Sequence, residues 1–470
     1  MAQATLLRQP DSGRSIRRKL KGIAMTWRVR SSLCRFLTSA VLFGVTLVFS
    51  PPPAVSSTPP RSLSASDRSA IFDKVWKAIN EHYYDPAFNG VDWKGIRAKY
   101  EPGVTAASSD SAFYDLIKHM VEELHDAHTR FSTPQEWRNR EKHQGVSAGF
   151  AVDSIEGKTV ITFVSPDSQA ARNGIAPGMV LLAIDDQPVE ARLAEVGAAH
   201  AHNSSDRADL LRAYRNILAG PVGSVVRLEL RRADGSKWQT SVTREIQSFP
   251  LKVQEKGLPS GLAYIRFDEF DAATPHQFKQ ALRSAQGSPG LIIDLRGNGG
   301  GTLASMLQIA GYLLHERTRF AQDRTRSGKP ISALGGLFKV GLELYAGEKG
   351  HQLYSGPVAI LVRGRTASAA EIFSAGMQEA GRAQVFGTQT CGCVLGIIKN
   401  RRVRGGGVLE ISEMLWLTPK GRKLEGEGVL PDHEIQPSIA DLLQRRDAPL
   451  EAAEKTLRGA VQSAKLTPQP

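Results

Sequence analysis

The sequence predicts a multidomain protein of mixed α+β and α/β class, with a helical domain first, a β-rich domain second and an α/β domain third. Three observations predict it. Apolar residues recur at helical spacing between Asp67 and about Glu136. Short β-branched runs broken by Gly, Pro and Asp turns fill Gly145 to Arg244. From Leu251 to about Ile435, fully apolar strands alternate with helices, the pattern of a sheet covered on both faces. At 470 residues the chain is also too long for a single core.

The elements follow in order. Ile71, Val75, Trp76 and Ile79 share one face of a first helix. Tyr84-Asp85-Pro86 is a turn, and a second helix lies near Trp93 to Tyr100. A third is expected from about Ser111 to His125, burying Phe113, Leu116, Ile117, Met120, Val121 and Leu124. In the β-rich region, Val160–Val164, Val180–Ile184 and Val225–Leu230 are strands, and Ser168–Asn173 is a short helix closed by Gly174. Leu291–Leu295 and Val358–Val362 are buried strands. Gly297–Gly301 is a glycine turn, and Thr302–Leu314 and Ser368–Ala380 are helices. Gly328–Gly350 is expected to be a mobile loop over the site, and the chain after Pro437 a terminal helix with a frayed end.

The formal net charge of +13 raises the question of a nucleic-acid partner. Residues 1–35 carry nine Lys or Arg against one acid. Most of the excess therefore belongs to the leader, and no nucleic-acid partner is expected. Phe36–Phe49 is an apolar run too short to span a bilayer comfortably, and it suits a signal-peptide core. Pro51-Pro52-Pro53 ends any helix, and Ala54-Val55-Ser56 offers small residues for cleavage. An uncleaved anchor, with membrane association through this segment, is the alternative; either places the bulk of the chain outside the cytoplasm.

Cys34 lies in the leader, and Cys391 and Cys393 form a lone Cys-Gly-Cys. No disulfide framework and no zinc spacing is expected. His125 and His128 are spaced as a metal pair but lack a third ligand, so no metal is expected.

Ser368 follows a strand and a turn of small residues and opens a helix. A hydroxyl there sits beside exposed backbone N–H groups and the positive helix end. The same pattern suits an N-cap, with Glu371 completing a capping box. The glycines after Asp294 let a backbone N–H be aimed at a developing oxyanion.

Five motifs stand in order. Leu291-Ile-Ile-Asp-Leu-Arg-Gly-Asn-Gly-Gly-Gly301, Thr366-Ala-Ser-Ala-Ala-Glu-Ile372, Gly387-Thr-Gln-Thr-Cys-Gly-Cys393, Leu417-Thr-Pro-Lys-Gly421 and Gly428-Val-Leu-Pro-Asp432 together resemble the C-terminal processing (tail-specific) peptidases. Ser165 to Asp185 looks like the core of a bacterial PDZ domain. The resemblance covers roughly residues 67–438. It implies a serine peptidase with a crotonase/ClpP-like α/β catalytic domain behind a PDZ-like domain, no cofactor, and protein or peptide substrates. It also implies Ser368 as nucleophile, with the N–H groups of Gly300 and Ala369 as the oxyanion hole. Gly145, Val146, Ser147, Ala148, Gly149 and Phe150 would form the peptide-carboxylate loop.

One departure is plain. The lysine of the Ser–Lys branch falls on Cys393, and Lys399 is a poor substitute six residues on. Leu124-His-Asp-Ala-His-Thr-Arg-Phe131 instead resembles the segment that supplies a histidine base in the tricorn-protease-like branch. That resemblance implies a Ser368, His128, Glu425 triad. The polar residue before that histidine is here Ala127. The implied organisation is a leader over 1–56, a linker over 57–66, a helical domain over 67–141, a PDZ-like domain over 142–247, a peptidase domain over 248–438 and a tail over 439–470. A catalytically silent binding protein on the same fold is the competing expectation, favoured by Cys393; acyl-CoA chemistry is disfavoured by the leader and the serine motif.

Overall fold

The computed structural model describes residues 62–199, 204–249, 251–329, 331–333, 338–340 and 343–466. The leader, Cys34 and the frayed end lie outside them. The described residues belong to one compact unit, Arg61–Pro470.

Ser64 opens the first helix, Ala65–His82, through a capping box with Asp67. Ile71, Phe72, Val75 and Ile79 form its buried stripe, and Trp76 is half-buried with its indole N–H on the Trp93 carbonyl. Helices Trp93–Ala106 and Asp110–Glu122 complete the layer. The third helix ends at Glu122 rather than His125, because His125 adopts a φ of 54° that no α-helix continues. Val403, Leu409 and Ile411 enter this helical core from far along the chain. They arrive because Arg130–Ser132 pairs with Val408–Glu410, which pairs with Arg401–Arg402. The helical layer is therefore closed by a strand of the later region.

The β-rich region forms an antiparallel sheet whose edge strand is Phe150–Ile155. Along Val225–Arg231 the buried residues are Val226, Leu228 and Leu230, the period of two expected of a one-sided strand. The helix Asp206–Asn216 packs beside Phe150–Ile155.

The third region is built on a six-stranded sheet ordered Gln254–Gly257, Ala263–Arg266, Leu291–Asp294, Val358–Val362, Ala383–Gly387 and His433–Glu434. Only the first pairing is antiparallel. One face packs on helices Leu303–Gly311 and Ala369–Glu379 through Phe267, Phe270 and Phe373. The other face meets Ala453 and Leu457 of the terminal helix Ala448–Leu466. Both faces are thus covered, which is why Leu291–Asp294 and Val358–Val362 are buried along their whole length.

Two expectations are corrected here. Gly328–Gly350 contains strands rather than a bare loop: Glu343–Ala346 pairs with Thr318–Gln322, and Ile331–Ala333 pairs with Phe338–Val340. The tail has two helices, Ile439–Leu443 and Ala448–Leu466; Arg445, at a φ of 55°, separates them. No helix of the described residues is long and apolar enough to cross a membrane.

Candidate active site

Two turns at the carboxyl ends of neighbouring parallel strands create the site. The first follows Leu291–Asp294. Asp294 is fully buried and takes a bidentate grip from Arg296, which Asp447 of the tail holds from the other side. Asn298, also fully buried, receives the Ala367 N–H on its carbonyl, 3.1 Å away. The second turn follows Val358–Val362. Thr366 ties it to the first by donating from Oγ1 to the Leu295 carbonyl at 2.8 Å. The glycine turn and the serine turn are thereby stitched into one unit.

Ser368 sits half-buried at the head of helix Ala369–Glu379 with φ 57° and ψ −124°. Positive φ in a non-glycine residue is strained and persists only where surroundings over-determine it. Here the Ser368 N–H donates to the Cys393 carbonyl at 2.8 Å and to Glu371 Oε2 at 3.0 Å. Glu371 does reach back as a capping-box carboxylate would, but the backbone at Ser368 is far from the extended geometry of an ordinary N-cap.

The structure brings Gly300 against this serine. A Cβ on Gly300 would lie 2.6 Å from Ser368 Cβ and 3.1 Å from the Ala369 N, and its φ is 108°. The Gly300 N–H donates to Asn298 Oδ1 at 2.9 Å in this structure, so acting as an oxyanion donor requires exchanging that partner. Ala369 begins the helix, so its N–H has no carbonyl four residues back. Gly300→Ala is expected to cut kcat by about 10²-fold or more, the effect of losing one oxyanion donor, added to backbone strain. Steady-state kinetics on a variant with native circular dichroism checks it; unchanged kcat would remove Gly300 from the site.

His128 lies in the loop between helix Asp110–Glu122 and strand Arg130–Ser132, and it is buried. Asp126 shapes that loop: its Oδ1 accepts from the His128 N–H at 2.7 Å, the Thr129 N–H at 2.6 Å and Ser412 Oγ at 2.9 Å. His128 Nδ1 is buried without a hydrogen-bond partner. Burial first, and then the Arg130 guanidinium, push the imidazole down to about 4. It is neutral at pH 7, the form a base needs.

Glu425 is also buried. One oxygen accepts from Ser204 Oγ, the other from the Val394 N–H at 2.5 Å. Burial pushes this carboxyl up to about 8, with the charges of Asp126 and Glu371 adding to the rise. Asp126 thus lies within electrostatic reach of both His128 and Glu425. No hydrogen bond joins His128 to Ser368 or to Glu425 in this structure; the three come from loops that share neighbours. Lys399 is exposed, and its charge acts on His82.

The Cys-Gly-Cys segment is a correction. Cys391 and Cys393 are joined in a disulfide, with Cα atoms 5.2 Å apart. The ring packs behind the serine: Cys391 N–H donates to the Thr366 carbonyl, and the Cys393 carbonyl takes the Ser368 N–H. Two cysteines separated by one glycine were too short a pattern to read as a bridge. The Cys393 contacts to the site run through its main chain, so Cys393→Ala is expected to keep kcat/KM within about tenfold. Loss beyond a hundredfold, about 2.7 kcal/mol of transition-state stabilisation, would assign the side chain a direct role.

The carboxylate-loop residues are divided. Gly145, Val146 and Ser147 lie in a ribbon with Glu245–Gln247, and Phe150 begins the edge strand. The Gly149 N–H donates to Ser147 Oγ at 3.0 Å, and Ala148 is buried. Among the described residues no cluster of His, Cys, Asp or Glu could hold a metal ion.

Glu371 is the residue whose importance the motif alone did not disclose. It is fully buried, and burial pushes its carboxyl up to about 7. Both Glu371 and Glu425 hold protons in the folded chain that an unfolded carboxyl, near 4.5, releases. Their contribution is full below pH 4.5 and is lost as pH rises through 7 to 8. His128 acts oppositely, its contribution falling as pH drops from 6.5 through 4. Thermal midpoints are expected to decline as pH rises from about 6 towards 8.5, with a shallower decline in Glu425→Gln. A midpoint still rising between pH 6 and 8.5 would contradict these environments.

Residues 261–435 match the model of peptidase family S41, and residues 64–122 match the tricorn protease C1 domain. The chain is a serine-type peptidase. It is 27% identical to carboxyl-terminal-processing peptidase 2 of Arabidopsis thaliana over 450 residues, covering 91% of this chain and 80% of that one. It is 25% identical to a carboxyl-terminal-processing protease of Synechocystis, covering 86% and 90%. Among solved structures, the photosystem II D1 C-terminal processing protease superposes with a TM-score of 0.53 at 22% identity, covering 83% of this chain and 97% of that one. Mature CPAF superposes with a TM-score of 0.63 at 14% identity, covering 84% and 96%. These two likenesses concern the fold. In this serine-type peptidase, the serine turn and the glycine turn fall inside the segment that matches family S41.

Proposed function

We propose that this serine-type peptidase is an exported endopeptidase that cleaves unfolded or C-terminally exposed chains through an acyl-enzyme. Ser368 Oγ attacks the scissile carbonyl carbon while His128 takes its proton. The carbonyl oxygen, now an oxyanion, is received by the Ala369 and Gly300 N–H groups. His128 then protonates the departing amine, and water repeats the sequence to release the acyl group. Glu425 orients the imidazole and balances its charge. His128 and Glu425 are not hydrogen-bonded in this structure, so the triad closes on substrate binding. The observation that carries this reading is Ser368 held at φ 57° with Gly300 pressed against its Cβ and an open helix N-terminus behind it.

We further propose that residues 142–247 are a PDZ-type module. Its edge strand Phe150–Ile155 and the adjacent helix Asp206–Asn216 supply the groove in which a peptide adds as a strand. The silent-binder reading loses its main support, because the vacant lysine position is filled by a disulfide loop whose main chain props up the serine. Labelling the purified chain with a fluorophosphonate and mapping the adduct tests the proposal. The expected adduct is on Ser368; no adduct, with peptide binding intact, would leave the silent binder.

A further inference from the structure

Four donors converge on the Glu371 carboxylate. Oε1 accepts from Thr390 Oγ1 at 2.5 Å and from the Gly392 N–H at 2.7 Å. Oε2 accepts from the Ser368 N–H at 3.0 Å and the Cys393 N–H at 3.1 Å. An N-terminal cap requires only the Ser368 bond. The remaining three donors come from a different segment, the Thr390–Cys393 loop. Thr390 Oγ1 also accepts the Val429 N–H at 2.7 Å, so its own proton is committed to Glu371. Two of the five sequence motifs therefore meet on one fully buried carboxylate, and a third reaches it through Thr390. Above about pH 7, where Glu371 is ionised, it accepts from all four donors at once, and a side chain buried this deeply among four donors is specified by its surroundings.

We infer that Glu371 is a positioning residue of the hydrolytic step, clamping the Cys391–Cys393 loop to the Ser368 backbone and so holding the nucleophile in its strained conformation. The Ser368 N–H is shared between Glu371 and the Cys393 carbonyl, and the Cys393 N–H returns to Glu371. This closes a ring of hydrogen bonds around the residue at φ 57°. A lysine-bearing loop would place a base here; in this chain the same loop is used as a brace. Loss of the brace lets Ser368 relax towards an ordinary N-cap geometry, which turns its Oγ away from the attack position. The inference rests on Ser368 being the nucleophile.

Glu371→Gln is the informative variant. An amide has the same shape, but its NH2 must face at least one N–H donor whichever way it turns. Glu371→Ala removes all four acceptors. Active-site titration with a fluorophosphonate counts competent sites, so turnover per site separates a slow enzyme from a partly unfolded one. Expected is a fall in kcat per titrated site of about tenfold for Gln and about a hundredfold or more for Ala, with KM within twofold. Wild-type turnover per site in both variants would overturn the inference. Amide hydrogen exchange reads the same clamp without activity: Ser368 and Cys393 amides are expected to exchange at least tenfold faster in Glu371→Gln. Unchanged exchange would overturn it also. If the wild-type chain takes no label, the nucleophile assignment fails, and exchange at these two amides alone decides the clamp.

Discussion

Replacing His128 by Ala is expected to cost as much kcat/KM as replacing Ser368 by Ala, about 10⁴-fold or more for each. The equality is the informative part. Members of a nucleophile–base unit fail together, because either deletion leaves only substrate binding and the oxyanion donors. The double variant should therefore be scarcely slower than either single one. Lys399 provides the contrast. It is solvent-exposed, its charge acts on His82 and its main-chain carbonyl accepts from Arg401, so Lys399→Ala is expected to remain within about twofold of wild type. His128 has the environment of a base kept neutral: buried, beside Arg130, with Nδ1 unpartnered. An unpartnered buried ring nitrogen is costly unless some state of the protein uses it. Steady-state kinetics of the four chains on one unstructured peptide with a free C-terminus checks this. Near-wild-type activity in His128→Ala would end the assignment, and loss in Lys399→Ala would return the lysine mechanism.

What could be read from the sequence followed from local periodicity and short-range turns. Val358–Val362 was legible because a strand covered on both faces must be apolar at every position. The serine turn was legible because strand, small residues and helix follow one another within eleven residues. Three things were not. The end of the helix at Glu122 depended on a positive φ at His125, which the apolar periodicity does not signal. The closure of the helical layer by Val403, Leu409 and Ile411 depended on pairing between strands about 280 residues apart. Glu371 looked like a capping residue because one of its four bonds is local, whereas the other three come from residues 390–393. Contacts of that separation leave no periodic trace.

The pH dependence of kcat/KM is expected to be set by Glu425 rather than by His128. His128, pushed down to about 4, is already neutral across the working range and titrates too low to shape it. Glu425, pushed up to about 8 by burial and by the Asp126 and Glu371 charges, is largely protonated at pH 7. A protonated carboxyl can orient the ring but cannot offset the imidazolium charge that forms as Ser368 attacks. Activity should therefore rise as pH increases through about 8, by at least tenfold between pH 6 and 9. In Glu425→Gln that rise should vanish, leaving a flat profile near the wild-type acid level and below the wild-type maximum by roughly 10²-fold. Glu371, at about 7, is the other buried carboxyl able to imprint a limb here, and it is told apart by its own variant: Glu371→Gln should keep the rise near pH 8 while lowering the plateau. A limb centred near 6.5 that survives in Glu425→Gln would mean that an ordinary imidazole governs the rate, and that Glu425 serves the fold through Ser204 and Val394 alone.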